Sequence, residues 1–236
     1  MDYTLFVAIG LIGSLASAVF GFGTALLVIA VGSHVIPVKD AIALGTVLFT
    51  ASTVTKTGLF AKHIDWKVVA VMAIGCLPFA YLGAQTLAVV PGDIIKRMFG
   101  LMVLIYLALS LTGWLPKFRI GLVGLGIGSA IYGFVSGLLG SGNLIKVMMF
   151  REMNITKEAF VGAMAATSVM SNFAKVASYT QSGLLRAEMA WPIVALVASA
   201  VIASFIGRAI LRKIRAETFE IGVKVLLAVA AAALLI

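Results

Sequence analysis

Two stretches of this 236-residue chain carry residue types able to do chemistry inside an apolar environment. The first, Gly45–Gly58, reads GTVLFTASTVTKTG, an apolar helix with a ladder of hydroxyls that ends with Lys56. The second, Gly162–Ser178, reads GAMAATSVMSNFAKVAS and carries Lys175 after Thr167, Ser168, Ser171 and Asn172. The two lysines lie 119 positions apart. A charge in a membrane helix costs roughly 2.5 kcal/mol or more, so two at matching places call for a ligand or an ion path. Each ammonium offers three donors and a compact positive charge, which points to an anion site.

Backbone chemistry is expected at two glycine breaks, Gly21-Phe-Gly23 and Gly140-Ser-Gly142-Asn143, which are again 119 apart. A broken helix exposes backbone N–H groups, and a half-helix N-terminus carries about half a positive charge, so a break aimed at the midplane would seat an oxyanion. Gly21, Gly23, Gly140 and Gly142 would let the backbone approach the ligand, with Thr24, Ser141 and Asn143 as side-chain donors beside them. The candidate anion ligands are therefore these seven with Lys56, Lys175, Thr53, Asn172 and Lys146. No cofactor and no metal is expected.

Each assignment has a plainer alternative. Lys56 lies within two turns of Lys62 and could snorkel to the interface, as could Lys175 near Tyr179 and Gln181. The glycines could serve helix packing alone. The hydroxyls of Thr46, Thr50, Ser52 and Thr53 are each expected to back-bond to their own helix. Lys146 matches Leu27 in the other half, so it either adds a third anion ligand or only precedes the loop at Arg151. Asp40 and Glu158 are expected to cap helix N-termini, and Trp66, Trp114 and Trp191 to mark membrane interfaces.

The elements that must position these groups follow from composition. With 62% hydrophobic residues, 11% charged and a mean hydropathy of +1.14, the chain has too little polar surface for a soluble domain. It reads as an all-α integral membrane protein embedded in the lipid bilayer. The net charge of +9 sits in short stretches between apolar runs, which suits anionic headgroups rather than nucleic acid. Cys76 stands alone and cannot form an intramolecular disulfide. Leu15-Ala-Ser-Ala18 mimics a cleavage site, yet no basic residue precedes Lys39, so residue 1 is expected to be mature.

Eight apolar runs are predicted, at about 3–36, 41–61, 66–90, 95–115, 119–150, 159–181, 188–211 and 218–236. Each is near or above the roughly 20 residues a spanning helix needs. The first and fifth are overlong and carry the glycine breaks, so they are expected to be broken or re-entrant. Lys39-Asp40-Ala41 repeats as Lys157-Glu158-Ala159, and Leu82-Gly83 as Ile206-Gly207, which divides the chain into two copies of one unit, 1–118 and 119–236. If the long runs cross once, the loops hold eight lysines and arginines on one face and five on the other. If they are hairpins, the split is nine to four, which obeys the positive-inside rule better. Inverted repeats with both termini extracytoplasmic are expected.

The glycine-rich break opening each half, the hydroxyl-rich second run and the small-Gly-small third run (Tyr81-Leu-Gly-Ala84 and Ile206-Gly-Arg208) resemble the TauE/SafE sulfite exporter family of anion permeases. The likeness covers nearly the whole chain. It departs from the usual pattern in its short Gly21-Phe-Gly23 break and in placing lysines at 56 and 175. The resemblance implies export of sulfite, sulfoacetate or related small sulfur oxyanions across the cell's inner (cytoplasmic) membrane. The alternatives are transport of another small anion, thiosulfate uptake, or a membrane-embedded scaffold subunit. Small-residue faces on the third and seventh runs could pack within one protomer or between two, which leaves a homodimer open.

Every acid of the chain sits at or near the end of an apolar run, so a carboxylate proton relay or sodium site is poorly supported. An anion leaving a cell that is negative inside gains about 2.3 kcal/mol per charge per 100 mV, so export needs no obligatory cation. An enzyme is not expected. Gly140-Ser141-Gly142 superficially matches a serine hydrolase turn, but His34 and His63 both fall near loops of the other half. The methionines are expected to pack or face lipid, since no Cys or His is interleaved with them at ligand spacing.

Overall fold

The computed structural model of the protein describes residues 2–20, 24–112, 121–150 and 156–214, together with Gly222 and Val225. Every regular element among them is helical: α1 (Tyr3–Phe20), α2 (Thr24–Gly32), α3 (Val38–Phe60), α4 (Trp66–Val89), α5 (Gly92–Thr112), α6 (Leu122–Leu139), α7 (Asn143–Phe150), α8 (Lys157–Gln181) and α9 (Ala190–Lys213). The predicted run at 218–236, together with Gly21, Gly23, Trp114 and Arg151, lies outside the described residues. Four spans, Tyr3–Phe20, Val38–His63, Trp66–Val89 and Ala187–Lys213, are long and apolar enough to cross a membrane. Large apolar side chains such as Ile74, Val89, Val123 and Ile12 are exposed along the helices, as lipid-facing positions must be. Trp66 and Trp191 stand half-exposed near the starts of α4 and α9, the places expected of interfacial indoles.

The two overlong runs are each divided into two helices, α1 with α2 and α6 with α7, and each doubles back on itself. A Cβ on Gly32, at the end of α2, would meet the ring of Phe6, near the start of α1. A Cβ on Gly128, in the first half of α6, would meet the Met149 side chain near the end of α7 at 2.9 Å. A short helix can reach the opening turns of its predecessor only by returning along it. Both runs are therefore helical hairpins.

Local signals set the helix ends. Asp65 caps α4 by accepting from the N–H groups of Lys67 (2.9 Å) and Val68 (3.3 Å). Thr156 caps α8 through the Ala159 N–H, so the predicted cap Glu158 lies inside the first turn and pairs with Lys157 at 3.9 Å. Asp40 likewise accepts no capping bond from its own helix. It forms an ion pair at 3.1 Å with Arg186, in the turn after α8, whose guanidinium is held above its ordinary pKa by that carboxylate. A guanidinium partner 146 positions away outcompetes a local one that would leave the acid facing apolar surroundings. α8 stops in a Schellman turn: Gly183, at φ 71°, donates to the Thr180 carbonyl, and Leu184 donates to that of Tyr179.

Helices α3 and α8 lie against each other at the centre and carry most of the buried polar residues. α4 packs on α6, and α9 on α1. These crossings use small residues at backbone distance. A Cβ on Gly83 would meet the Phe134 carbonyl oxygen and, at 2.9 Å, the Leu138 nitrogen. One on Gly207 would meet Ala18. The small residues of the third and seventh runs are thus used inside one protomer.

Lys39 and Lys157, which head α3 and α8, reach across to the ends of the neighbouring helices. Lys39 Nζ donates to the Ala88 carbonyl at 2.9 Å, and Lys157 Nζ to those of Leu211 and Ile214, both at 2.8 Å. They neutralise carbonyls that the last turns of α4 and α9 leave without helical partners. Lys39→Met should therefore lower stability in detergent by about 1 kcal/mol, read as an earlier thermal midpoint, with Lys39→Arg near the parent. A midpoint unchanged in Lys39→Met would refute the capping role.

Candidate anion site between the central helices

The hydroxyl ladder of α3 behaves for the most part as its helical spacing dictates. Thr46, Thr50, Thr53, Thr55 and Thr57 each donate to the carbonyl four residues back, at 2.7 to 2.8 Å. Thr53 is also the acceptor for Asn172 Nδ2 of α8 at 3.1 Å, which bolts the two central helices together. Ser52 is the exception, treated below.

One turn beyond, Lys56 and Lys175 are 2% and 1% exposed, so neither snorkels to an interface. Lys56 Nζ donates to Ser17 Oγ of α1 at 2.9 Å. Lys175 Nζ donates to Ser136 Oγ of α6 at 3.0 Å and to the Gly140 carbonyl at 3.1 Å. The two ion pairs among the described residues are Lys157–Glu158 and Arg186–Asp40, so no carboxylate balances either central ammonium. Of three N–H donors each, Lys56 keeps two and Lys175 one without a protein acceptor among the described residues.

These groups face a small buried cavity of about 30 Å³. That is room for a few water-sized groups. Of the predicted ligands, Thr53, Lys56, Gly140, Ser141, Asn143, Asn172 and Lys175 line it. Both short helices begin at its wall, α7 with Asn143 and α2 with Ala25 one residue into the helix, so two N-terminal partial charges add to the two ammonium charges. Gly140 closes α6 at φ 75°, a conformation that favours glycine, and a Cβ there would meet Ile29 and Ile42 at 2.8 and 2.9 Å. Gly142 lies behind the wall against Tyr132. Thr24 opens α2.

Lys146 is fully buried but does not line the cavity. Its ammonium donates to the Met164 carbonyl at 2.7 Å, to Thr167 Oγ1 at 3.3 Å and to Ser168 Oγ, which uses all three donors, and it sits 4.7 Å from the centre of the Tyr132 ring. Tyr132 in turn lines the cavity, with its hydroxyl 2.9 Å from Ser171 Oγ and 3.3 Å from Ser168 Oγ. Lys146 thus positions Tyr132 and Ser168 from the second row.

Sequence reasoning did not place Ser17, Ser52, Tyr132, Ser136 and Ser168 among the ligands, yet all five line the cavity. Ser17 and Ser136 could have been found: each precedes its lysine by 39 residues, and they share the 119 spacing. Tyr132 has Gly13 as its mate, so repetition gives no signal for it.

Helices long and apolar enough to cross a membrane, packed around a buried cavity lined by two lysines, fit the class of membrane transporters. The sequence matches the family Sulfite exporter TauE/SafE over residues 6–234, and the chain belongs to that family. No curated protein and no solved structure matches it.

Proposed function

We propose that the protein exports small sulfur oxyanions, sulfite or an organosulfonate such as sulfoacetate, across the cytoplasmic membrane, with the anion held near the midplane between Lys56 and Lys175. The observation that carries this reading is the pair of buried ammonium groups facing one cavity with no carboxylate in reach among the described residues. A bound anion supplies the missing charge and accepts the free donors.

The same cavity supports two inverted copies, 1–118 and 119–236. The Lys56–Ser17 bond is the counterpart of the Lys175–Ser136 bond, and Asn172 and Thr53 occupy the same place in the two copies, so their bond straddles the pseudo-two-fold axis. The hairpins return each opening run to the face it entered from. On that reading nine lysines and arginines fall on the cytoplasmic face against four outside, with both termini outside, which is in keeping with the positive-inside rule.

Among the described residues the one buried acid, Asp40, is taken up by Arg186 and no carboxylate lines the cavity, so export runs on voltage. In proteoliposomes held at a potassium diffusion potential, radiolabelled sulfite should distribute by about fiftyfold per net charge per 100 mV without a proton or sodium gradient. Flux that stops when either gradient is removed at constant voltage would sink the uniport reading. Absence of sulfite flux in the folded protein would sink the substrate.

A further inference from the structure

Six hydroxyls line α3 between Thr46 and Thr57, and five of them are committed to the carbonyl one turn back. Ser52 is not. It is 2% exposed, its Oγ has no hydrogen-bond partner among the described residues, and it lies on the cavity wall one turn before Lys56. A buried hydroxyl left without a partner costs about 1–3 kcal/mol, so an orphan beside two unbalanced ammonium groups marks a donor whose acceptor arrives with the ligand. Back-bonding to Leu48 would satisfy it locally, as the neighbouring threonines satisfy themselves, and the structure declines that option.

The repeat mate of Ser52 sharpens the point. Ser171 holds the equivalent place one turn before Lys175, yet its hydroxyl donates to the Ser168 carbonyl at 3.0 Å and meets the Tyr132 hydroxyl. Tyr132 has Gly13 as its mate, so only the second half carries the ring that occupies this serine. The cavity is therefore two-fold in its lysines but one-sided in its free hydroxyl.

We propose that Ser52 is a direct ligand of the transported oxyanion, donating its hydroxyl hydrogen to an anion oxygen that Lys56 also holds, so that the anion sits nearer the first half than the second. This rests on the anion-site reading above. The anion's oxygens must then fit a serine hydroxyl and a lysine one helical turn apart on one side and the single free donor of Lys175 on the other.

The test is sulfite binding by the full chain in detergent, read by titration calorimetry beside the thermal midpoint without ligand. Ser52→Ala should weaken sulfite about tenfold while its ligand-free midpoint holds or rises, because an unsatisfied hydroxyl is removed. Ser52→Thr, which restores the hydroxyl, should bind within about threefold of the parent. Ser14, also buried and unpartnered but off the cavity, is the control: Ser14→Ala should hold or raise the midpoint and leave the affinity alone. Parent-like affinity in Ser52→Ala overturns the role of Ser52 while the anion site stands. Absence of sulfite binding in the folded parent overturns the site itself and the inference with it. Equal weakening in Ser14→Ala and Ser52→Ala would assign the effect to packing and overturn direct ligation.

Discussion

Lys56→Met combined with Lys175→Met should cut sulfite flux by at least about a hundredfold while the thermal midpoint holds or rises. Each ammonium with free donors contributes about 1.5–3 kcal/mol as a charge-assisted bond to an anion, and every 1.4 kcal/mol is tenfold. Both effects come from one cause. The ammonium groups lie buried without a carboxylate among the described residues, and an isolated buried charge destabilises the ligand-free fold, so an apolar side chain of similar length relieves that cost. The lost bonds to Ser17 and Ser136 offset part of the gain. Flux measured in proteoliposomes and midpoints measured in detergent separate the roles: a structural lysine would leave flux near the parent and lower the midpoint. Flux within about threefold of the parent would remove the two-lysine site.

The second large effect is expected where the backbone itself is the contact surface. At the α4–α6 crossing, a Cβ on Gly137 would meet the Ala80 carbonyl oxygen and the Ala84 nitrogen, the latter at 2.7 Å, while Gly83 faces Phe134 and Leu138 in the same way. Backbone atoms cannot swing aside as a side chain can. Gly137→Val should therefore force the helices apart and lower stability by about 3 kcal/mol or more, seen as aggregation or loss of the folded peak on size exclusion. Gly100→Val, where nothing lies within 4 Å of the would-be Cβ, should stay within about 1 kcal/mol of the parent. Equal behaviour of the two variants would mean that the crossing tolerates separation.

Much of this was legible in the residues. The apolar helices, the break at Gly140–Asn143 and the burial of Lys56, Lys175, Thr53 and Asn172 all follow from hydropathy and the 119 spacing. What was not legible depends on partners remote in the chain. Asp40 looks like a helix cap because capping is a local rule, and Arg186 is invisible to it. Ser17 looks like part of a cleavage site, because small residues serve both purposes. Lys146 looks like either a ligand or a loop residue until three acceptors on α8 consume its donors. Ser52 was expected to bond its own helix, and only coordinates can tell the one idle hydroxyl from its five employed neighbours.

The close crossings have a mechanical consequence. At the α4–α6 crossing, interdigitated backbones with no side chain between them cannot slide past one another in small steps, so α4 moves with α6, and the close Gly207–Ala18 contact ties α1 to α9. Each coupled pair takes one helix from the first 118 residues and one from the remainder. Parts that moved in a transport cycle would then be woven across the chain and would not coincide with its consecutive halves, with the central helices that carry the lysines as the seam between them.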